Sequence, residues 1–179
     1  TRAMRGALAQ DLQTDSSHFQ EENVQLLKFH GSYQQDDRDQ RVERRKQKQD
    51  KAYIFMVRSK IPGGMLTAQQ YLAHDLVAGE YGNGTLRITS RQDIQTHFVL
   101  KGNLKECVAT INRSGITTWG ACGDVVRNVV ASPVPIDSPV HRDIRRLARE
   151  LKDVFAARSR AYSEIWLDGE KIDTGAELE

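Results

Sequence analysis

Apolar and polar residues between positions 53 and 130 follow two different periods. Strand-like runs rich in β-branched and aromatic residues occupy positions 53–60 and 125–130, and a proline follows each run closely. Two shorter runs with the period of two that is typical of strands lie around Arg87 and His97. Between these strands the apolar spacing changes to the helical period.

Two capped helices are predicted between the strands. Thr67 and Gln70 form a capping box at the start of the first helix, and Asn103 with Glu106 has the same spacing at the start of the second. The apolar positions expected to face the core are Tyr71, Leu72 and Leu76 in the first helix and Leu104, Cys107, Val108 and Ile111 in the second. The order of elements predicts an α+β fold with the ferredoxin-like split βαββαβ arrangement, in which helices cover one sheet face and the other face is open.

Residues 1–50 are predicted to form an N-terminal arm and a charged linker. They hold one short apolar run at 24–30, which we interpret as a strand, and a mixture of both charge signs over 36–51 that favours a solvated helix or a mobile linker. Because this composition buries too little apolar surface to offset the ordering entropy, we expect the segment to pack poorly on the core. The ferredoxin-like domain itself is assigned to residues 51–136.

Residues 137–179 are predicted to be an extension made of a helix and a strand. Ser138 as the N-cap and Pro139 at the first helical position predict a helix over residues 139–158. The apolar residues at helical spacing in that segment are Ile144, Leu147, Leu151, Val154 and Phe155. A short strand is predicted over residues 162–168.

Four arginines are expected on the open sheet face. Alternation places them opposite the apolar positions of the strands or in the turn between two strands, and they are Arg58, Arg87, Arg91 and Arg127. Gln95 and His97 share that face, whereas Phe98 is expected to point inward. An arginine inside a β-branched run is costly to bury without an anionic partner, so this set is a candidate anion site. His97 fits either a ligand pocket or a satisfied surface histidine.

The bulk composition excludes several classes of protein. A formal net charge of +2, from 26 basic and 24 acidic residues, gives no overall field that favours nucleic acid or an acidic membrane. No apolar run approaches the roughly 20 residues of a spanning helix, and no signal-peptide core is present, so we expect a soluble cytoplasmic protein. Cys107 and Cys122 alone are too few for a four-thiolate cluster, and we predict no metal bound by this chain's own residues.

Five ordered blocks of sequence carry a resemblance to a known family. The blocks are LKFHGSYQQDDRD at 27–39, RSKIPGG at 58–64, GTLRITSRQDIQTH at 84–97, GACGDVVRNV at 120–129 and RAYSEIWLD at 160–168. Together they resemble the N-terminal half of the assimilatory sulfite reductase hemoproteins, in the siroheme-dependent nitrite and sulfite reductase family. The turn at 120–124 looks closer to the ferredoxin-dependent branch, and the block at 33–39 also resembles the NADPH-linked branch.

The resemblance implies a reaction, two cofactors and a role for each candidate residue. Family members reduce sulfite to sulfide by six electrons at a siroheme, coupled through a cysteine sulfur to a four-iron four-sulfur cluster. Siroheme carries eight carboxylates and sulfite is an oxyanion, so both suit a face of guanidinium groups. By motif position, Arg58 and Arg127 resemble the arginines that hold the substrate. The residues that resemble siroheme binders are Arg87, Arg91, Gln95, His97 and Asn128.

The family pattern extends beyond this chain. It continues with a second half-domain, paired pocket lysines and the cluster cysteines, so the resemblance implies a fragment that needs a missing C-terminal half and is inactive alone. The first residue, Thr1, and the final Leu178 and Glu179 are consistent with an excised piece. The implied partners are sulfite or nitrite and an electron donor, either ferredoxin or a flavoprotein subunit, with no membrane and no nucleic acid.

Three alternatives to a sulfite reductase stay open at this point. A siroheme nitrite reductase has the same pattern of residues. A nucleic-acid-binding module with an open ferredoxin-like sheet would present two or three aromatic residues for base stacking, whereas alternation places Arg58, Arg87, Gln95 and His97 there. A noncatalytic anion-binding or interaction domain is the third alternative.

Overall fold

A four-stranded antiparallel sheet with helices on one face forms the body of the protein. The computed structural model describes residues 5–156, 165–167 and 170–172. In chain order the elements are α1 Leu8–Asp11, α2 Glu21–Phe29, β1 Ser32–Asp36, α3 Arg38–Lys46, β2 Tyr53–Arg58, α4 Ala68–Tyr81, β3 Leu86–Ile88, β4 Ile94–Val99, α5 Leu104–Arg113, α6 Pro139–Val154, β5 Ile165–Leu167 and β6 Glu170–Ile172. A 3₁₀ turn over Pro62–Gly64 follows β2, and another over Lys101–Asn103 precedes α5.

The strand order in the sheet is β1-β2-β4-β3, and every neighbouring pair is antiparallel. This confirms the α+β class and the predicted run of strand, helix, two strands and helix over residues 53–113. The strand predicted at 125–130 is wrong, because that segment joins no ladder and runs as extended chain beside residues 60–64 and 91–92. The edge of β2 that a closing strand would occupy is taken by β1, which precedes β2 in the chain.

Both helices between the strands form as predicted, but one turns a different face to the core. The capping box of Thr67 and Gln70 is present at the start of α4, and Leu104, Cys107 and Ile111 of α5 are buried. The predicted stripe of α4 is wrong, since Tyr71, Leu72 and Leu76 are exposed. The residues that α4 buries are His74, Val77 and Ala78. Asn103 lies at the N-cap position of α5 without a side-chain capping bond.

The core lies between the sheet and the helices α4 and α5. Phe55 and Val57 of β2 and Val99 of β4 are fully buried there, with α4 against β4 and α5 against β2. Ile88, expected to share the core face with Leu86, is 82% exposed because β3 is a three-residue edge strand that ends there. Among the described helices, α4 and α5 pack on this core side of the sheet, and α6 packs on the Pro62–Gly64 turn.

The N-terminal segment is part of the domain, so the prediction of a poorly packed arm is wrong. Phe19 is 1% exposed and meets Phe55 edge to face, with ring centroids 5.5 Å apart. Residues 24–29 belong to the helix α2 rather than a strand, and Leu27 of that helix is buried. The helix α3 lies in the charged run and buries no residue, so this part of the segment is the solvated helix that was expected. The division of the chain at residues 50 and 136 stays a prediction.

One buried lysine fastens the N-terminal segment to the domain. The Lys101 ammonium donates to Asp11 Oδ1 at 3.3 Å, Thr14 Oγ1 at 2.8 Å and the carbonyls of Ser16 at 3.0 Å and His18 at 3.1 Å. Both charged side chains of the pair are about 95% buried, with 5% and 4% exposure. Burial by itself raises the pKa of Asp11, but hydrogen bonds from Asn23, the Gln20 amide and Lys101 outweigh it and lower that pKa.

The C-terminal extension begins as predicted. Ser138 caps α6 by accepting from the His141 amide, and the helix ends at Val154 instead of residue 158. Its apolar stripe is exposed, and only Ala148 is buried, against the Pro62–Gly64 turn. β5 lies inside the predicted strand and pairs with β6, while residues 162–164 and 168 fall outside the described residues. No helix in the described residues is long and apolar enough to cross a membrane.

Replacing Lys101 with methionine is predicted to destabilise the protein strongly. The substitution leaves the Asp11 carboxylate buried without its cation, a change that costs about 3–5 kcal/mol of unfolding free energy. Urea denaturation followed by circular dichroism measures the loss, and Lys105→Met on the exposed side of α5 is the matched control. The double variant with Asp11→Asn is expected to recover part of the loss. A Lys101→Met protein as stable as the control would contradict this role.

Candidate functional site

Three strands bring two arginines and a glutamine side by side on the open sheet face. Gln95 of β4 is the ladder partner of Arg58 in β2 and of Arg87 in β3. Paired residues in neighbouring strands share a sheet face, so the three side chains form a row across the sheet. Arg58 is half-buried and Arg87 is exposed. The row contains two cations that have no carboxylate partner among the ion pairs of the described residues.

The Gln95 amide links Arg58 to His97. With its oxygen toward Arg58, the amide accepts from Arg58 Nε at 3.0 Å and from a second guanidinium nitrogen, while its nitrogen donates to His97 Nε2 at 3.2 Å. His97 therefore accepts at Nε2 and is neutral. Burial lowers the pKa of His97 below its usual range, and the charges of Arg87 and Arg58 lower it further.

A bulge in β4 changes the alternation just after His97. Phe98 has a φ of 64°, and the register between β2 and β4 shifts between Phe55 and Val57. The inward position predicted for Phe98 is therefore wrong, because the buried residue at this point of the strand is Val99. Phe98 instead lines an open groove of about 720 Å³ with His97, Arg87 and residues 34–39 and 41. The groove continues the row of polar side chains toward the β1 edge.

Arg127 and Asn128 reach the same region from an extended segment and not from a strand. Arg127 Nε donates to the Gly123 carbonyl at 3.0 Å. Asn128 Nδ2 donates to the carbonyls of Ile61 and Arg91, each at 2.8 Å, so it ties the end of β2 to the turn before β4. Its Oδ1 is buried and has no hydrogen-bond partner within the part of the chain that the structure describes.

Tyr33 and Cys122 are close enough to Arg58 and Arg127 for both charges to act on them, and both residues were missed from the sequence. A hydrogen bond joins the Tyr33 hydroxyl to the Cys122 thiol. Burial raises the pKa of each group, while the charges of Arg58 and Arg127 act in the opposite direction on both. Cys122 is fully buried. Arg58 Nη1 donates to the carbonyl of the preceding residue, Ala121, at 3.5 Å. Tyr33 was missed because β1 was assigned to an arm.

Lys60 and Asp93 are two further titratable residues near Arg58 that were not predicted as site residues. Lys60 is 4% exposed and its ammonium donates to the Val126 carbonyl at 2.8 Å. Burial lowers the pKa of Lys60, as does the charge of Lys152. Burial raises the pKa of Asp93 to about 6, against the opposing effects of the Ile61 amide and of nearby cations. Lys60 lies in the sequence block at 58–64 and Asp93 in the block at 84–97. Their place in these blocks was the signal that could have identified them.

The predicted site residues thus fall into two groups. Arg58, Arg87, Gln95 and His97 form one continuous patch on the open face. Arg127 belongs with Arg58 because the charges of both act on Tyr33 and Cys122. Arg91 is exposed in the turn before β4, where its carbonyl accepts from Asn128 and its charge acts on Asp93. Arg58 is the common neighbour of both groups. Such a concentration of fixed positive charge is suited to binding anions.

Comparison with protein families matches the same part of the chain. Residues 45–114 match the family described as the nitrite/sulfite reductase ferredoxin-like half domain. This range contains Arg58, Arg87, Arg91, Gln95 and His97. It ends before the segment that carries Arg127 and Asn128.

Curated relatives and a solved structure extend the similarity over most of the chain. The chain is 48% identical over 176 residues to the sulfite reductase [NADPH] hemoprotein beta-component of Staphylococcus saprophyticus, covering 97% of this chain and 31% of that protein. The protein of the same name from Shouchella clausii is 49% identical over 170 residues, covering 94% and 30%. The Mycobacterium tuberculosis NirA protein shares the fold with a TM-score of 0.66 at 19% identity, over 87% of this chain and 30% of that one. The chain therefore spans about 31% of the length of the relatives it matches.

Replacing Arg87 with glutamine is predicted to raise the pKa of His97. The Arg87 charge disfavours the imidazolium form, so its removal makes protonation easier. Titration of the His97 ring protons by NMR measures the change, and Arg113→Gln, an exposed arginine paired with Glu106, is the control that leaves the pKa of His97 unaltered. An unchanged pKa in Arg87→Gln would mean that the two side chains do not share the open face.

Proposed function

We propose that this chain, whose residues 45–114 are a nitrite/sulfite reductase ferredoxin-like half domain, is the N-terminal part of a sulfite reductase hemoprotein. The full protein would reduce sulfite to sulfide with six electrons, and this chain would supply arginines for the substrate oxyanion and the siroheme carboxylates. The observation that carries the proposal is the row of Arg58, Gln95 and Arg87 in register on an open sheet face. The high identity to hemoprotein beta-components supports sulfite over the alternative substrate, nitrite.

The open face fits a cofactor that carries many carboxylates. Siroheme, with its eight carboxylates, needs several donors that stay protonated at neutral pH, and guanidinium groups meet that need. We assign Arg87, Gln95 and His97 to the cofactor because they lie in the row or line the groove beside it. Arg91 is assigned with them because its side chain is exposed in the turn before β4. When bound together, siroheme and a four-iron four-sulfur cluster would pass to the substrate the electrons that the external donor supplies.

We assign Arg58 and Arg127 to the substrate oxyanion. Arg58 is half-buried and its guanidinium is oriented by Gln95, so its charge lies in a partly desolvated position where it acts more strongly than at the surface. Arg127 is held by its hydrogen bond to the Gly123 carbonyl. As sulfite loses oxygen, these fixed cations would stabilise the negative charge that develops on the departing oxygen atoms until protons arrive.

Asn128 is assigned a positioning role at this site. Both hydrogens of its amide nitrogen are used by the Ile61 and Arg91 carbonyls, so the side chain has no free donor for an anion. It holds the turn that carries Arg91 against the end of β2. Its effect on the cofactor would pass through Arg91.

The remaining parts of the reaction lie outside this chain. Its two cysteines, Cys107 and Cys122, are both buried and stand on different elements, so we assign the cluster thiolates to the rest of the longer protein. The relatives' names specify NADPH and a beta-component, which supports a flavoprotein component as electron donor over ferredoxin. A second half-domain in the longer protein would cover the open face and complete the site.

In the longer protein, the two sets of arginines are predicted to fail in different ways. Arg58→Ser or Arg127→Ser should lower kcat for sulfite by about 100-fold or more while siroheme stays bound, because a charge-stabilising contact to the substrate is lost. Arg87→Ala or Arg91→Ala should lower the siroheme content of the purified protein instead. Absorbance of the bound siroheme and sulfite turnover measure the two effects.

Arg142→Ser is the matched control for both sets. This arginine is exposed on α6 and paired with Asp137, away from the sheet face. It should leave turnover and siroheme content unchanged. The assignment is wrong if Arg58→Ser and Arg127→Ser resemble the control, and the proposed cofactor face is wrong if Arg87→Ala and Arg91→Ala do.

A further inference from the structure

Asp93 is a buried carboxyl directly beside the cationic site. Its side chain is 0% exposed, and Oδ1 accepts from the Ile61 amide at 3.1 Å. The second oxygen, Oδ2, is buried without a hydrogen-bond partner in the described part of the chain. A carboxylate in this position costs free energy unless nearby charges compensate for the lost hydration. None of the roles proposed above uses the Asp93 carboxyl.

The backbone around Asp93 fixes the carboxyl in place. Its amide donates to Thr89 Oγ1 at 3.1 Å, and its carbonyl accepts from the Thr89 amide at 2.9 Å. Asn128 Nδ2 donates to the Ile61 carbonyl, which belongs to the next peptide group along the chain. The two peptide groups that flank Ile61 are therefore both hydrogen-bonded, one to Asp93 and the other to Asn128.

The end of β2 is held against Asp93 by further bonds. The Ser59 amide and hydroxyl both reach the Ile94 carbonyl, at 3.0 Å and 3.2 Å. Arg58 and Lys60 flank Ser59 in the chain, so the two cations keep a fixed relation to the neighbouring carboxyl. The charged and titratable groups that act on Asp93 or respond to it are Arg58, Lys60, Arg91 and Cys122.

We propose that Asp93 is a positioning residue that serves as the resident counter-charge of the anion site. In its ionised form it balances part of the charge of Arg58, Lys60 and Arg91, and so weakens the attraction of these cations for an oxyanion. In its neutral form it no longer offsets the charge of these cations, so they attract the oxyanion more strongly. The inference rests on the proposed function, since Arg58 belongs to the proposed oxyanion site and Arg91 to the proposed cofactor face.

The sign of the pH effect follows from linkage. Asp93 has a pKa of about 6, so it is mostly ionised at pH 8 and mostly neutral at pH 5. Protonation removes a negative charge near the site, so anion affinity should rise as pH falls through this range. By reciprocity, a bound anion should raise the pKa of Asp93.

The test uses sulfate as the probe anion and Asp93→Asn as the variant. Sulfate keeps one charge state between pH 5 and pH 8, whereas sulfite does not, and the asparagine keeps an acceptor for the Ile61 amide. Calorimetric titration of the full 179-residue chain measures sulfate affinity at both pH values. A unit charge several Å away at the effective dielectric of a protein surface changes affinity by about tenfold. We expect Asp93→Asn to bind about tenfold more tightly than the native chain at pH 8 and equally at pH 5.

Two controls isolate the carboxyl. His97 is also titratable, but it is present in both proteins, so the difference between them reports Asp93 alone. Asp75→Asn removes one exposed carboxylate from the outer side of α4 and should keep the native pH dependence. If Asp93→Asn has the native affinity at pH 8, or loses affinity for sulfate, the inference is wrong.

A second measurement separates this inference from the proposed function. The carboxyl carbon of Asp93 is titrated by NMR in the native chain and in Arg58→Gln, without any ligand. A higher pKa of Asp93 in Arg58→Gln supports the coupling, and an unchanged pKa overturns it. This measurement does not need the Asp93→Asn variant, so it decides the inference even if that variant does not fold. Failure of both native and variant chains to bind sulfate counts against the oxyanion site, and the NMR result then decides the role of Asp93.

Discussion

The position of β4 between β2 and β3 is the constraint on which the rest of the site depends. Gln95 has an arginine as ladder partner on each side only because both neighbours run antiparallel to β4 in this register. A slip of one residue would turn Gln95 and His97 toward the core and bring Ile94 and Thr96 to the open face. The bulge at Phe98 then restores Val99 to the core, so the polar row ends where the groove begins.

Local signals in the sequence were sufficient for the elements that build this row. The capping box of Thr67 and Gln70 and the strands around Arg87 and His97 depend on residues close in the chain, and they formed as predicted. The alternation itself held in β4 only as far as His97, because the bulge there leaves Phe98 outside the core. The open face carrying Arg58, Arg87, Gln95 and His97 followed from the same alternation. The roles of these residues toward siroheme and sulfite came from the family resemblance, and composition or spacing would not have supplied them.

The errors occurred where a distant segment decides the outcome. The run at 125–130 has strand composition, but β1 occupies the place beside β2, and that pairing depends on a turn at Gly31. Gly31 has a φ of 81°, and a side chain there would collide with the carbonyls of Thr118 and Arg58. The roles of Asp93 and Cys122 could not be predicted from the sequence, because neither residue stands in a charged run. Their electrostatic interaction with Arg58 exists only in the folded chain.

The anchoring of the N-terminal segment by Lys101 also sets an order of events during synthesis. The groups that Lys101 binds belong to residues made 83 to 90 positions earlier. Asp11 and Phe19 therefore leave the ribosome long before the lysine and the sheet that receive them exist. Contacts of such high sequence separation form late, after the local strands and helices of residues 53–113 have assembled. Until then the apolar side of α1 and α2 is uncovered, and this is the stage at which the nascent chain is most exposed to aggregation.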